Sequence, residues 1–189
     1  KKRSLNEYRQ VKEYTTPKKK KANRNKEGTH SYIVDLSEVE LSDLELVGGK
    51  NASLGEMIQN LKGLGVNIPG GFALTVDAYW EFIRFNKLDS TIRSLINGMK
   101  KDDLVSLRKT GLEIREIIRN GQWPEDLKLE IQKRYTQLSQ EYGSDITDVA
   151  VRSSATAEDL PDASFAGQQE TYLNVRGPEQ ILTSVRNCF

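Results

Sequence analysis

The sequence predicts a mixed α+β (α/β) domain in which helices outweigh strands. Three observations predict it. Short runs rich in β-branched residues, "YIVDL" (32–36), "DVAVRSS" (148–154) and "QETYLNV" (169–175), read as strands. Stretches with apolar residues at helical spacing separate them, and between about 88 and 142 helices follow one another with no strand between them. Hydrophobic residues make up 37% of the 189-residue chain and charged residues 29%, a balance that allows a buried core. With so few strands the sheet is expected to be small and largely antiparallel.

Ordered structure is expected from Ser31, beginning with the strand in 32–36. In "LVGGKNASLGEMIQNLKGLG" (46–65), Leu54, Met57, Ile58, Leu61 and Leu64 fall on a helical period and Gly65 is placed to end the helix. Gly48, Gly49 and Lys50 therefore lie in a turn feeding a helix N-terminus. "IPGGFALT" (68–75) reads as a turn and a strand. Thr75 or Asp77 would cap a helix carrying Tyr79, Phe82 and Ile83. Asp89 or Ser90 would start a short helix through Leu95, and Asp102 and Asp103 precede a longer one ending near Gly121. Pro124 would open the next at its first helical position, with Leu127, Ile131, Leu138 and Tyr142 on one face and Gly143 after it. The two later strands follow, then a helix in "PEQILTSVRNCF" (178–189) that the end of the chain cuts off.

Charge is unevenly distributed. Residues 1–28 hold 11 of the 28 Lys and Arg but 3 of the 27 Asp and Glu, so the remainder carries a net charge of −7. A segment such as "TTPKKKKANRNKEG" (15–28) repels itself and has little to bury, so 1–30 is expected to be a basic, disordered tail and 31–189 the folded domain. The tail lacks the interleaved aromatics of a single-strand binder, which argues against nucleic acid. No apolar run approaches the roughly 18 residues of a membrane helix, and no signal-peptide core is seen. One cysteine, Cys188, excludes an internal disulfide framework. A cytoplasmic setting is the expectation. His30 follows the tail without a partner in view and receives no role.

Two places carry chemistry. In "VGGKNASLGEM" (47–57), glycines admit a close ligand, the helix start presents free N–H groups and a favourable dipole, and Lys50 adds a mobile cation. The spacing is not that of a Walker A loop, and a plain turn before a helix explains the same residues. In "VRSSATAEDLPDASFAGQQETYLNV" (151–175), Arg152 leaves a strand and enters a small, hydroxylated loop. Its guanidinium fork matches phosphate oxygens. Gly167 would admit a backbone amide, and Gln168 and Thr171 would donate hydrogen bonds. Glu158, Asp159 and Asp162 read as a solvated acidic stretch rather than metal ligands, and Phe165 as a hydrophobic anchor. From the residues alone, a ligand loop and an ordinary polar hairpin both stand.

Together with "IPGGFALTVDAY" (68–79), these two stretches resemble the N-terminal nucleotide-binding domain of phosphoenolpyruvate synthases, the pyruvate, water dikinases. The resemblance runs from about Asp35 to the end and leaves out the basic tail. It implies an ATP-grasp-like domain that binds ATP with Mg2+. It also implies conversion of pyruvate, ATP and water to phosphoenolpyruvate, AMP and phosphate through a phosphohistidine on another domain. By motif position, Lys50 and Arg152 correspond to the cations on the ATP phosphates, and Gly167, Gln168 and Thr171 would line the loop over the triphosphate.

Such enzymes are several times longer. The chain is therefore expected to be an N-terminal piece without a catalytic residue of its own. The magnesium ligands, the phosphohistidine and the pyruvate-handling domain would lie downstream, and a homodimer would form only in the whole enzyme. Rifampicin phosphotransferases share a very similar "RSSATAEDLP" loop, though Asn51 and Glu170 lean toward the synthases. Pyruvate, phosphate dikinases have a different loop after the arginine. A non-catalytic nucleotide-binding module is the remaining alternative.

Overall fold

The computed structural model describes residues 31–99, 103–156, 159–160, 163–164 and 170–189, so the basic segment 1–30 and the N-terminal expectation attached to it lie outside the described residues. Strand β1 (Ile33–Asp35) pairs antiparallel with β2 (Phe72–Leu74), Val34 facing Ala73 and Ile33 facing Leu74. The period of two gives this ladder two apolar faces. Val34 and Ala73 join a core with Leu36, Val39, Val47, Ala52 and Ile58, while Ile33, Phe72 and Leu74 pack on a second core.

The first core belongs to α1 (Leu44–Val47) and α2 (Gly49–Leu61). Helix α2 begins five residues before its apolar period does, and Gly65 follows it in the left-handed region at φ 79°. Gly55 lets α2 lie directly on the Val39 carbonyl, where a Cβ would collide with backbone. The second core gathers α3 (Val76–Phe85), α4 (Leu88–Gly98), α5 (Leu104–Arg119), α6 (Glu125–Glu141) and α7 (Pro178–Cys188) around Phe82, Ile83, Leu127, Ile131 and Tyr135. The expected Thr75 cap is present, its hydroxyl accepting from the Ala78 N–H, and Asp103 caps α5 through the Val105 N–H.

Three details differ from the sequence reading. Helix α4 starts at Leu88 behind Lys87, which takes a left-handed φ of 54°; Asp89 lies inside the first turn and pairs with Arg93 at 2.9 Å. Pro124 is the cap of α6 rather than its first residue. Tyr142 is 53% exposed because α6 has already ended, and its hydroxyl accepts from the Gly70 N–H at 2.8 Å. Tyr135 completes the buried face in its place.

The pairing is antiparallel, as expected, but among the described residues it is divided among three two-stranded ladders rather than one small sheet: β1 with β2, β3 (Asp148–Arg152) with β6 (Thr171–Arg176), and β4 (Asp159–Leu160) with β5 (Ala163–Ser164). In the second, Val149 faces Val175 and Val151 faces Tyr172, so β6 carries one extra residue. Asn174 absorbs it at φ 55°. Tyr172 and Val175, three apart, thereby both reach the core under α7, which strict alternation would forbid. The base of this hairpin is held by Tyr135, whose buried hydroxyl donates to the Thr147 carbonyl at 2.6 Å and accepts from the Gly177 N–H at 2.8 Å.

Candidate functional site

The hairpin base is fixed by Tyr135; its far end carries Arg152, the last residue of β3, directly opposite Thr171, the first of β6. Both are exposed, on the ladder face away from Val151 and α7. Beyond Arg152 the chain stays tied to β6 for one more residue, since the Ser153 N–H donates to the Glu170 carbonyl at 3.2 Å. It then turns to α2. The Gly49 N–H donates to the Ala155 carbonyl at 3.1 Å, and the Asn51 N–H donates to the Ser154 hydroxyl at 3.3 Å. Lys50, exposed and second in α2, stands between these two donors. The structure thus brings Lys50, Arg152 and Thr171 into one neighbourhood from three different elements. Gly167 and Gln168, with Glu158, Asp162 and Phe165, lie outside the described residues.

The two glycines divide their labour. Gly48 has φ 81°, and a Cβ there would lie 2.5 Å from the Ser154 carbonyl oxygen. Its missing side chain makes room for the arginine loop, not for a ligand. Nothing stands within 4 Å of the Cβ position of Gly49, so that glycine faces open space. The helix start is likewise partly committed. Of its first N–H groups, those of Gly49 and Asn51 already donate to the loop, and the Asn51 side chain donates back to the Val47 carbonyl at 2.9 Å. The sequence reading offered these N–H groups to an anion. It missed Ser154, Asn51 and Ala155 as the residues that join the two motifs; their only signal was the glycine before Gly49, which a tight backbone approach also explains.

Behind the site, burial and then Glu170 raise the Tyr172 hydroxyl above its ordinary value, and the same two causes push the Cys188 thiol up to about 11. No three His, Cys, Asp or Glu side chains gather to hold a metal ion among the described residues. A cavity of about 370 Å³ lined by Tyr172, Glu179, Gln180 and Thr183 lies on the α7 side of β6, away from Arg152. No helix among the described residues is long and apolar enough to cross a membrane.

Residues 44–189 match the family described as pyruvate phosphate dikinase, AMP/ATP-binding domain. The chain belongs to that family. Within it, the chain is 55% identical over 157 residues to the phosphoenolpyruvate synthase of Aquifex aeolicus, covering 83% of this chain and 18% of that protein. It is 48% identical over 158 residues to the phosphoenolpyruvate synthase of Pseudomonas aeruginosa, covering 84% and 20%. To that of Escherichia coli it is 44% identical over 162 residues, covering 86% and 20%. The chain therefore spans about a fifth of the length of these relatives. The matched region contains α2, both motifs and the whole β3–β6 hairpin.

Proposed function

We propose that this chain is the ATP-binding part of a phosphoenolpyruvate synthase, which converts pyruvate, ATP and water to phosphoenolpyruvate, AMP and phosphate. The observation that carries the reading is the hydrogen bond from Gly49 to Ala155, which sets the lysine turn beside the arginine strand. Transfer of a phosphoryl group demands positioning and charge neutralisation more than covalent help from side chains. Lys50 and Arg152 supply two cations from two directions. Arg152 can grip two phosphate oxygens with one planar fork, and Lys50 follows the phosphate as a point charge. Thr171 donates beside Arg152, and by motif position Gly167 and Gln168 would line the loop over the triphosphate. The domain as a whole is the N-terminal part of an ATP-grasp-like unit.

Mg2+ bound with ATP would supply further charge neutralisation, held by residues outside this chain. The phosphohistidine and the pyruvate site belong to other domains of the complete cytoplasmic enzyme, a homodimer in this reading.

The test uses the complete protein that carries this chain. Lys50→Ala and Arg152→Ala should each slow ATP-dependent phosphorylation of the histidine. Phosphorylation of the same histidine by phosphoenolpyruvate should continue, because it uses other domains. Wild-type ATP kinetics in either variant would refute the site.

A further inference from the structure

Lys50 and Arg152 are seated on different cores. Helix α2 buries Ala52 and Ile58 in the core it shares with Val39 and Val47, whereas β3 packs Val149 and Val151 against the core of α3, α6 and α7. The β1–β2 ladder packs one face on each core, but neither core contains both cation-bearing segments. What joins the two segments at the site is a small polar junction. The Ser154 hydroxyl accepts the Asn51 N–H, the Ala155 carbonyl accepts the Gly49 N–H, and the Ser154 backbone fills the space left by Gly48. These contacts flank Lys50 on both sides in sequence and begin two residues after Arg152.

We propose that Ser154 and Gly48 are positioning residues, a latch that sets the separation of Lys50 and Arg152 so that the two cations act on one polyphosphate as a unit. The inference rests on the ATP-binding reading above. Neither residue need touch the nucleotide. The Ser154 oxygen already accepts from the α2 backbone, and Gly48 faces the loop rather than open space. The latch also uses two N–H groups of the helix start, so the helix N-terminus contributes to phosphate binding chiefly by carrying Lys50. Two cations held at a fixed separation bind a polyphosphate with less ordering cost than two that must find each other during binding. Loosening the latch should therefore weaken ATP without removing any group that contacts it.

The readout that separates positioning from general stability is the coupling between the two cations. ATP affinity is titrated on the complete protein carrying this chain, for Lys50→Ala, Arg152→Ala and the double variant, with Ser154 intact and again with Ser154→Ala. Thermal melting of every variant reports folding. With Ser154 intact, the single losses are expected to couple, the double variant binding more tightly than the two effects multiplied would predict. In the Ser154→Ala background that coupling should shrink toward additivity, and ATP should bind roughly three- to tenfold more weakly than to wild type, the size of one lost hydrogen bond. Gly48→Ala should weaken ATP further, because its Cβ meets both the Ser154 side chain and backbone.

If Ser154→Ala leaves affinity and coupling unchanged while Lys50→Ala and Arg152→Ala still weaken ATP, the latch is overturned and the site stands. If neither cation variant weakens ATP, the site falls and the latch with it. A lower melting temperature in Ser154→Ala with intact coupling would make Ser154 a stability residue only, and would also overturn the proposal.

Discussion

Arg152 and Thr171 face each other as a cross-strand pair where the β3–β6 ladder ends, with both side chains exposed. Directly opposed residues on one face of an antiparallel pair are close enough to act on a common ligand. In the complete protein, Arg152→Lys keeps the charge but loses the planar fork, so ATP binding should fall to a level between wild type and Arg152→Ala. Arg152→Ala should cost about 1.5–3 kcal/mol, roughly ten- to a hundredfold. Thr171→Val keeps the β-branched shape and should cost about 0.5–1.5 kcal/mol. Calorimetric titration with ATP measures all three. A lysine that substitutes fully for Arg152 would rule out a two-oxygen grip.

Tyr135 reaches the opposite end of the same hairpin. It is 1% exposed, and its hydroxyl serves Thr147 before β3 and Gly177 after β6. Tyr135→Phe keeps the packing but takes away the partner of a partly buried N–H and a partly buried carbonyl. The expected loss is about 1–3 kcal/mol, a fall in Tm of roughly 2–4 °C for each kcal/mol in a chain of this size. Because the anchor lies far from Arg152, ATP affinity of the folded variant should change little. Differential scanning calorimetry beside an ATP titration checks both. An unchanged Tm would mean that water replaces the hydroxyl at no cost.

The helices were legible in the sequence because their apolar residues recur on a helical period and their ends carry recognisable residues, as Thr75, Asp103 and Gly65 do. Tyr142 was misplaced because a period read along sequence does not announce where the helix stops. The β6 bulge was hidden for a related reason: "QETYLNV" alternates convincingly, and only the core reveals that Tyr172 and Val175 share a face. Lys50 and Arg152 were singled out from residue type and motif, and their segments lie side by side. Ser154 and Asn51 were not, because their contact spans 103 residues and uses a backbone donor that every sequence possesses. Division of the strands into separate ladders depends on tertiary packing and leaves no local trace.

Arg134 joins α6 to the β1–β2 ladder through Asp35, reaches Glu141 at 3.1 Å, and lies over the Phe72 ring at 5.6 Å. Burial opposes ionisation of Asp35, but hydrogen bonds from the Ser37 N–H and hydroxyl and from Arg134 outweigh it and hold the carboxyl below its ordinary value. A carboxyl depressed in the folded state adds stability that is present above the unfolded value, near 3.8, and is lost as pH falls through the folded one. Asp35→Asn should therefore cost about 1 kcal/mol at neutral pH, toward the low end because the carboxylate is partly exposed. The gap to wild type should hold down to about pH 5 and close at lower pH. Urea midpoints measured from pH 7 to pH 3 test this, and a gap that does not depend on pH would assign the loss to packing instead.

Cys188 shows the opposite sign. Burial first, and Glu170 second, push its thiol up to about 11 from an ordinary 9.0. Only the thiolate reacts with alkylating agents. At pH 8 the folded chain should therefore be alkylated by iodoacetamide about a hundredfold more slowly than the urea-unfolded chain. The rate in the folded chain should still be climbing above pH 9, where that of the unfolded chain levels off. Because the fold favours the protonated thiol, its contribution to stability is complete below the unfolded value and fades as pH rises toward 11. Glu170→Gln removes the smaller cause, so it should speed alkylation modestly without restoring the unfolded rate. If folded and unfolded chains react equally fast at pH 8, the Cys188 thiol is open to solvent most of the time, and the packing of α7 against β6 is looser than its buried Ile181, Leu182 and Val185 indicate.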